Sequence, residues 1–370
     1  MNILYLSHLG DDLAAGPTYS VPKQIEAQSK IDNVFWYNAV DKGLSEWREL
    51  TYYHDKREFP NETIADLPAP FNKPDIVVVE LFYNMVKSKF IWELLRSNLP
   101  YVIIPRGELT HQAQLRKHIK KLATNLLVTY RYAKKAKAIQ YLTEQERQDS
   151  GSKWNETQII VPNGIDIPEL KANESFIGDS IECVSIGRIE PYQKGLDMLI
   201  EACVHLRDTL KQNNVHISIY GPDRENKAEG LQNEIIQNGL EDIISIHGPV
   251  YGNEKKNILL SSNVFLMPSR FEGHPMALIE ALSYGLPCIA TTGSNMKKEV
   301  EEYDAGWTAE CSADSIVESI CHMIKEKSQV SMKSIQAQKL AENYRWDVIA
   351  NVTHNKYCEL LRNYRGHTGE

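Results

Sequence analysis

No two glycines in this sequence stand two positions apart, so there is no Gly-x-Gly-x-x-Gly dinucleotide fingerprint. The phosphate-cradling Gly-x-x-x-x-Gly-Lys-Ser/Thr loop is also missing, as are His-Glu-x-x-His and Gly-x-Ser-x-Gly. There is no Asp-x-Asp, which removes the simplest carboxylate pair for bridging a metal to a diphosphate. No run of 18 apolar residues occurs, so no segment is expected to cross a membrane as a helix. The opening MNILYLSHLGDD lacks a basic stretch before its apolar residues and turns acidic at once. It reads as a first strand rather than a signal peptide. The six cysteines (Cys183, Cys203, Cys288, Cys311, Cys321 and Cys358) form no Cys-x-x-Cys pair. Most lie in apolar runs such as IECVSIG and LPCIATT, which predicts buried, reduced thiols and a cytoplasmic setting.

What is present is a chain of 370 residues, 42% hydrophobic and 24% charged, with a net charge of −8. That length predicts two domains. Residues 1–170 hold 21 basic and 21 acidic side chains, so the negative excess lies wholly in 171–370. Overall acidity argues against a general nucleic-acid binder. Within the neutral half, the stretch 111–137 carries eight Lys and Arg and no acid. Such a patch suits anionic lipid or phosphate, and an ordinary solvated helix face explains it equally well.

Short apolar, β-branched runs alternate with helical patterns along the whole chain. NILYLSH (2–8), VFWYNA (34–39), DIVVVE (75–80), YVIIPRG (101–107), AIQYLT (138–143) and QIIVPNG (158–164) come first. ECVSIGR (182–188), HISIYG (216–221), ISIHGPV (244–250), NVFLMPS (263–269), PCIATT (287–292) and GWTAE (306–310) follow. Continuous apolar strands separated by helices predict an α/β chain with doubly wound parallel sheets. The polar stretch 165–181, PNGIDIPEL onward, lacks either period and predicts a linker between two Rossmann-like domains, 1–170 and 171–349. The Asn-Gly of VPNGID predicts a turn with positive φ. A helix of about 350–370 closes the chain.

In such sheets ligands sit beyond the carboxyl ends of the strands, which directs attention to four turns. In LMPSRFEGHPMALIEAL (266–282), Pro275 suits the first helical position, and Glu272 and Glu280 flank the free N–H groups of 275–278, an anion site. Capping by Glu272 and solvation of Glu280 is the plain structural alternative. In SIGRIEPYQKG (185–195), Arg188 and Lys194 can clamp a diphosphate as a planar fork and a point charge, or are simply an exposed pair in a loop. Gly16 would let backbone approach a ligand ahead of a helix from Pro17, but a plain β–α turn is the reading this turn favours by itself. Arg106 in IPRGE is either directed at the ligand or part of a structural ion pair. His8, His111 and His118 lack ligand spacing and are ordinary histidines.

Strand-Gly-Arg-x5-Lys-Gly, EGHPMALIE, VPNGID and the glycine-bearing first turn together resemble retaining glycosyltransferases of family 4, over essentially the whole chain. The resemblance implies the GT-B fold: two Rossmann-like domains facing a cleft, with the C-terminal helix crossing back to the first. It implies that Arg188, Lys194 and Glu272 are catalytic, the first two on the donor diphosphate and Glu272 near the donor sugar. It further implies donor binding by Gly187, by His274, Pro275, Met276 and Ala277, by Glu280 on the ribose, and by Val250 near the base. Gly16 and Pro17 match a loop, usually Gly-Gly, that closes on the diphosphate. The sequence departs from the family there, because Pro17 removes an N–H. It departs again at Arg106, where many members carry a histidine and a subgroup has Pro-Arg-Gly or Pro-His-Gly.

The implied activity is transfer of a hexosyl unit from a nucleotide sugar, a UDP-sugar favoured over GDP-mannose, to a sugar hydroxyl in bacterial cell-surface polysaccharide assembly. No metal or cofactor is implied. The acceptor is a saccharide or a lipid-linked saccharide, and the basic stretch 111–137 would meet an anionic membrane surface. A nucleotide-sugar epimerase, a phosphorylase, or a silent nucleotide-sugar binding subunit remain open alternatives.

Overall fold

The apolar runs fold as parallel strands in two separate sheets. The structure is a computed structural model that describes residues 1–11, 16–40, 43–115, 128–169 and 180–365. It divides into one unit of Met1–Gly164 with Trp346–Glu370, and a second of Ile165–Arg345. The first sheet contains β1 (Asn2–Ser7), β2 (Asn33–Asn38), β3 (Tyr53–Asp55), β4 (Ile76–Glu80), β5 (Tyr101–Ile104), β6 (Ala138–Tyr141) and β7 (Gln158–Ile160). Their order is β3-β2-β1-β4-β5-β6-β7. The second contains β8 (Ile181–Ile186), β9 (Val215–Tyr220), β10 (Ile244–His247), β11 (Val264–Met267), β12 (Cys288–Thr291) and β13 (Gly306–Ala309), in the order β10-β9-β8-β11-β12-β13.

Among the described residues every strand pair is parallel, and Ile76–Val79 in β4 are fully buried, as expected for a sheet covered by helices on both faces. Strand order reverses between β1 and β4 and again between β8 and β11. Those switch points open a crevice beyond the strand ends.

Twelve of these strands match the expected runs, and β3 does not. Its residues, Tyr-His-Asp, form no apolar run. It pairs at the sheet edge with β2, where the Tyr53 ring packs edge-on against Trp36 at 4.8 Å. That pairing is a tertiary event with no local signature.

The boundary between units also differs from expectation. It falls at Gly164 and Ile165 rather than at 170, because Ile165 bridges Arg345 and packs into the core of the second unit. The return falls between Arg345 and Trp346 rather than near 350. Gly164 is glycine for a reason other than a turn: it does not have positive φ, and a Cβ there would lie 2.5 Å from the Trp346 ring. The closing helix Trp346–Arg365 belongs to the first unit. Its buried Tyr357 donates to Gln140 Oε1 in β6 at 2.7 Å, and its His354 meets Asp32 at 2.9 Å.

The basic stretch 111–137 is described as two short helices, His111–Leu115 and Tyr130–Lys135, while 116–127, with His118, lies outside the described residues. The same holds for 170–179 of the expected linker. His8 and His111 are exposed. No described helix is long and apolar enough to cross a membrane. All six cysteines are free, but only Cys183, Cys203 and Cys288 are buried, Cys311 being exposed and the other two half-buried. Burial pushes the Cys203 and Cys288 thiols up to about 12 and Cys183 higher still, which leaves all three protonated and unreactive.

Candidate active site

The site in the second unit grows from the ends of β8 and β11, neighbours in the sheet. After β8 the chain runs through Gly187 and Arg188 into one helical turn, Pro191–Lys194, then through Gly195 into the long helix Leu196–Gln212. Lys194 therefore closes its own short turn rather than simply preceding the long helix. Two glycines make this path possible. A Cβ on Gly221, after β9, would fall 1.6 Å from the Gly187 carbonyl oxygen. Gly195 has φ +64°, and its Cβ would lie 1.9 Å from the Pro268 carbonyl oxygen in the loop after β11. Gly195→Ala combines a left-handed backbone with a backbone collision and should cost about 2 kcal/mol or more, read as a lower melting temperature. An unchanged melting curve would refute the close approach.

That approach brings together two charges far apart in sequence. Lys194 Nζ donates to Glu272 Oε1 at 2.6 Å, and Ser269 Oγ donates to the same oxygen at 2.6 Å. The side chains of Lys194 and Glu272 are 17% and 8% exposed, so the pair is sheltered but still reachable. The Asn295 amide donates to the Glu272 carbonyl and holds the loop from behind. Arg188 is exposed, with Nη2 on Gln193 Oε1 at 3.1 Å. Gly187, Arg188, Lys194, Met267, Pro268 and Ser269 line a small pocket. Two cations beside a pocket with one paired carboxylate can receive an anion, which would compete with Glu272 for the Lys194 ammonium.

The following helix, Met276–Ser283, starts one residue later than expected, with Pro275 as its N-cap. The expected row of four free N–H groups at 275–278 is also reduced. Proline has none, Met276 donates to the His274 carbonyl at 2.9 Å and Leu278 to the Pro275 carbonyl at 3.0 Å. This leaves the Ala277 N–H without an acceptor among the described residues. His274 Nδ1 lies 2.9 Å from Met276 Sδ, which orders the loop. Glu280, on the second turn, is not simply solvated: Lys255 of the helix Gly252–Ser261 donates to its Oε2. Val250, three residues beyond β10, is buried at 8% exposure.

In the first unit, Gly16 opens the helix Gly16–Ser29, one residue earlier than expected, with Pro17 second, where no N–H is required. Residues 12–15 of that turn lie outside the described residues. Arg106 is directed inward. Its backbone has φ +48°, and its side chain, 3% exposed, donates from Nε to Glu80 Oε2 at 2.7 Å. It also donates to Asn163 Oδ1 at 2.9 Å, Ser20 Oγ at 3.1 Å and Gln24 Oε1 at 2.8 Å. Of the two readings open for Arg106 in the sequence, the structural ion pair describes this geometry. Close by, burial raises the Glu146 carboxyl even though the Leu142 and Gly107 N–H groups donate to it.

Sequence reasoning singled out Lys194, Arg188, Glu272 and Glu280. It missed Ser269, Asn295 and Lys255, which no local pattern distinguishes from ordinary polar residues. Among the described residues no three His, Cys, Asp or Glu side chains cluster as metal ligands.

Two Rossmann-like units, with the closing helix returned to the first, define the GT-B fold, and solved structures of that class overlay nearly the whole chain. Sucrose-phosphate synthase from Thermosynechococcus elongatus superposes with a TM-score of 0.70 at 16% identity, covering 98% of this chain and 100% of that one. Anabaena HepE in complex with UDP and glucose does so at 0.67 and 15%, covering 97% and 100%. Residues 166–345, the second unit almost in full, match the family model for glycosyl transferases, group 1. The Salmonella typhimurium protein described as "Putative colanic acid biosynthesis glycosyltransferase WcaL" is 28% identical over 184 residues, 46% of this chain. The match spans 43% of that relative's length.

Proposed function

We infer that the protein is a retaining glycosyltransferase that moves a hexosyl unit from a nucleotide sugar to a sugar hydroxyl. The observation that carries this reading is the Lys194–Glu272 pair at the pocket beyond β8 and β11, inside the stretch that matches the group 1 glycosyltransferase model. Arg188 and Lys194 would bind the donor diphosphate, and Glu272 a hydroxyl of the donor sugar. Glu280, steered by Lys255, would bind the ribose. The Ala277 N–H would meet phosphate or sugar oxygen beside His274, Pro275 and Met276. Val250 would border the base.

In the reaction, the bond between the anomeric carbon and the diphosphate oxygen breaks, and the acceptor oxygen bonds to the same face of that carbon. The acceptor's proton passes to the departing diphosphate. Arg188 and Lys194 stabilise the charge that develops there, a contribution present mainly in the transition state. The reading requires no metal and no bound cofactor. The UDP and glucose in the HepE complex favour a UDP-sugar over GDP-mannose as donor. The name of the WcaL relative favours assembly of a bacterial surface polysaccharide. A cytoplasmic setting and a saccharide or lipid-linked saccharide as acceptor complete the proposal.

A thermal-shift panel of UDP-, GDP- and ADP-sugars tests the donor. A ligand at about 100 times its Kd should stabilise the folded protein by about 2.7 kcal/mol. A UDP-sugar is expected to give the largest rise, and no rise with any nucleotide sugar would sink the reading.

A further inference from the structure

We propose that Arg270 is a positioning residue for the transfer, keeping the loop that carries Lys194 in register with the loop that carries Glu272. The proposal rests on the glycosyltransferase reading above. Arg270 follows Ser269 in the loop after β11, two residues before Glu272. Its Nη1 donates to the Tyr192 carbonyl at 2.8 Å and to Asp197 Oδ1 at 2.7 Å. Its guanidinium lies over the Tyr192 ring at 4.4 Å, and its backbone N–H donates to the Gln193 carbonyl at 2.9 Å. Gln193 reciprocates, its Nε2 reaching the Phe271 carbonyl at 3.5 Å while its Oε1 accepts from Arg188.

These contacts fall on both sides of Lys194. Tyr192 and Gln193 belong to the helical turn that Lys194 closes, and Asp197 lies in the first turn of the next helix. A lysine ammonium on a long, flexible stem has no fixed direction of its own. Its direction must come from the backbone beneath it, and the Arg270 side chain ties that stretch down at the Tyr192 carbonyl before the lysine and at the Asp197 carboxylate after it.

Magnitudes separate this role from a merely structural one. Arg270 and Asp197 are 22% and 39% exposed, and ion pairs this open to water contribute little to stability. A shift of about 1 Å in a catalytic group, by contrast, can cost about 10²-fold in rate. A lysine in place of Arg270 could still reach Asp197 but could not also bond the Tyr192 carbonyl and cover its ring in the same plane.

The test is the steady-state release of UDP from UDP-glucose, UDP-galactose and UDP-N-acetylglucosamine with a mixture of saccharide acceptors, on the full chain. Arg270→Ala is expected to lower kcat about 10- to 100-fold while the donor KM stays within about 3-fold and the melting temperature barely moves. Arg270→Lys should recover part of the loss. In a Lys194→Ala background, Arg270→Ala should cost less than about 2-fold, because its effect passes through the lysine already removed. An unchanged kcat, a loss confined to KM, or an equal loss in both backgrounds would overturn the proposal. Should Arg270→Ala fail to fold, Asp197→Asn gives the same readout from the other partner. A wild-type chain that releases no nucleotide from these donors, from GDP-mannose or from ADP-glucose, with saccharide or lipid-linked acceptors, overturns the glycosyltransferase reading itself, an outcome distinct from any of these.

Discussion

Lys194→Ala is expected to lose about 10²- to 10³-fold in kcat with its fold intact, the usual loss when one preorganised partner of developing charge is removed. The Lys194 ammonium is one of two cations beside the pocket, and Arg188, exposed and bonded through its side chain to Gln193, cannot take over its position. Removing the lysine leaves the Ser269 hydroxyl still donating to Glu272, so the carboxylate loses a charged neighbour but keeps a hydrogen bond. The stability loss should therefore be small beside the kinetic one. Steady-state kinetics and a melting curve on the same preparation check both. Full turnover in the variant would remove the clamp from the mechanism.

Arg106→Met should lower stability by about 3–5 kcal/mol, because it strands a buried carboxylate. Glu80 is fully buried and Arg106 nearly so. Their attraction offsets the cost of taking both charges out of water only while both are present. For a unit of this size each kcal/mol corresponds to about 2–4 °C, so the melting temperature should fall by about 6–20 °C. Ser20, Gln24 and Asn163 lose their donor at the same time. Arg106→Met combined with Glu80→Leu should recover most of the loss, since an apolar pair of similar volume strands no charge. Below the variant's melting temperature, the donor KM of Arg106→Met should stay within about 3-fold of wild type, because the side chain it removes faces Glu80. A normal melting curve together with a raised donor KM would restore Arg106 as a donor contact.

The two arginines show what local sequence could and could not reveal. IPRGE and SIGRIEPYQKG look alike on paper, a strand running into an arginine and glycine. The structure separates them: Arg188 is exposed beside the pocket, while Arg106 turns inward with φ +48° onto Glu80. Glu80 ends β4, the strand next to β5, so the decision belongs to strand order and not to the residues around Arg106. The same reasoning applies to β3, which forms only because β2 offers an edge and Trp36 offers a ring. It applies again to Gly164, whose missing side chain makes room for Trp346.

The sequence by itself determined the parallel α/β character, twelve of the strand positions and the strand-end segments that carry Lys194, Arg188, Glu272 and Glu280. Those properties depend on short-range periodicity and on which residues favour strand ends and helix starts, all of which act within a few residues. Only the tertiary structure decided which charges meet. Lys194 and Glu272 are 78 residues apart. They share a hydrogen bond because β8 and β11 pair directly, with Cys183 opposite Val264, and because Gly195 lets the two loops touch. Lys255 reached Glu280 across 25 residues in the same way, whereas Ser269 meets Glu272 within one loop, three residues away. Ion pairs across a sheet depend on strand order, which emerges from the burial of the whole core rather than from any one stretch of chain.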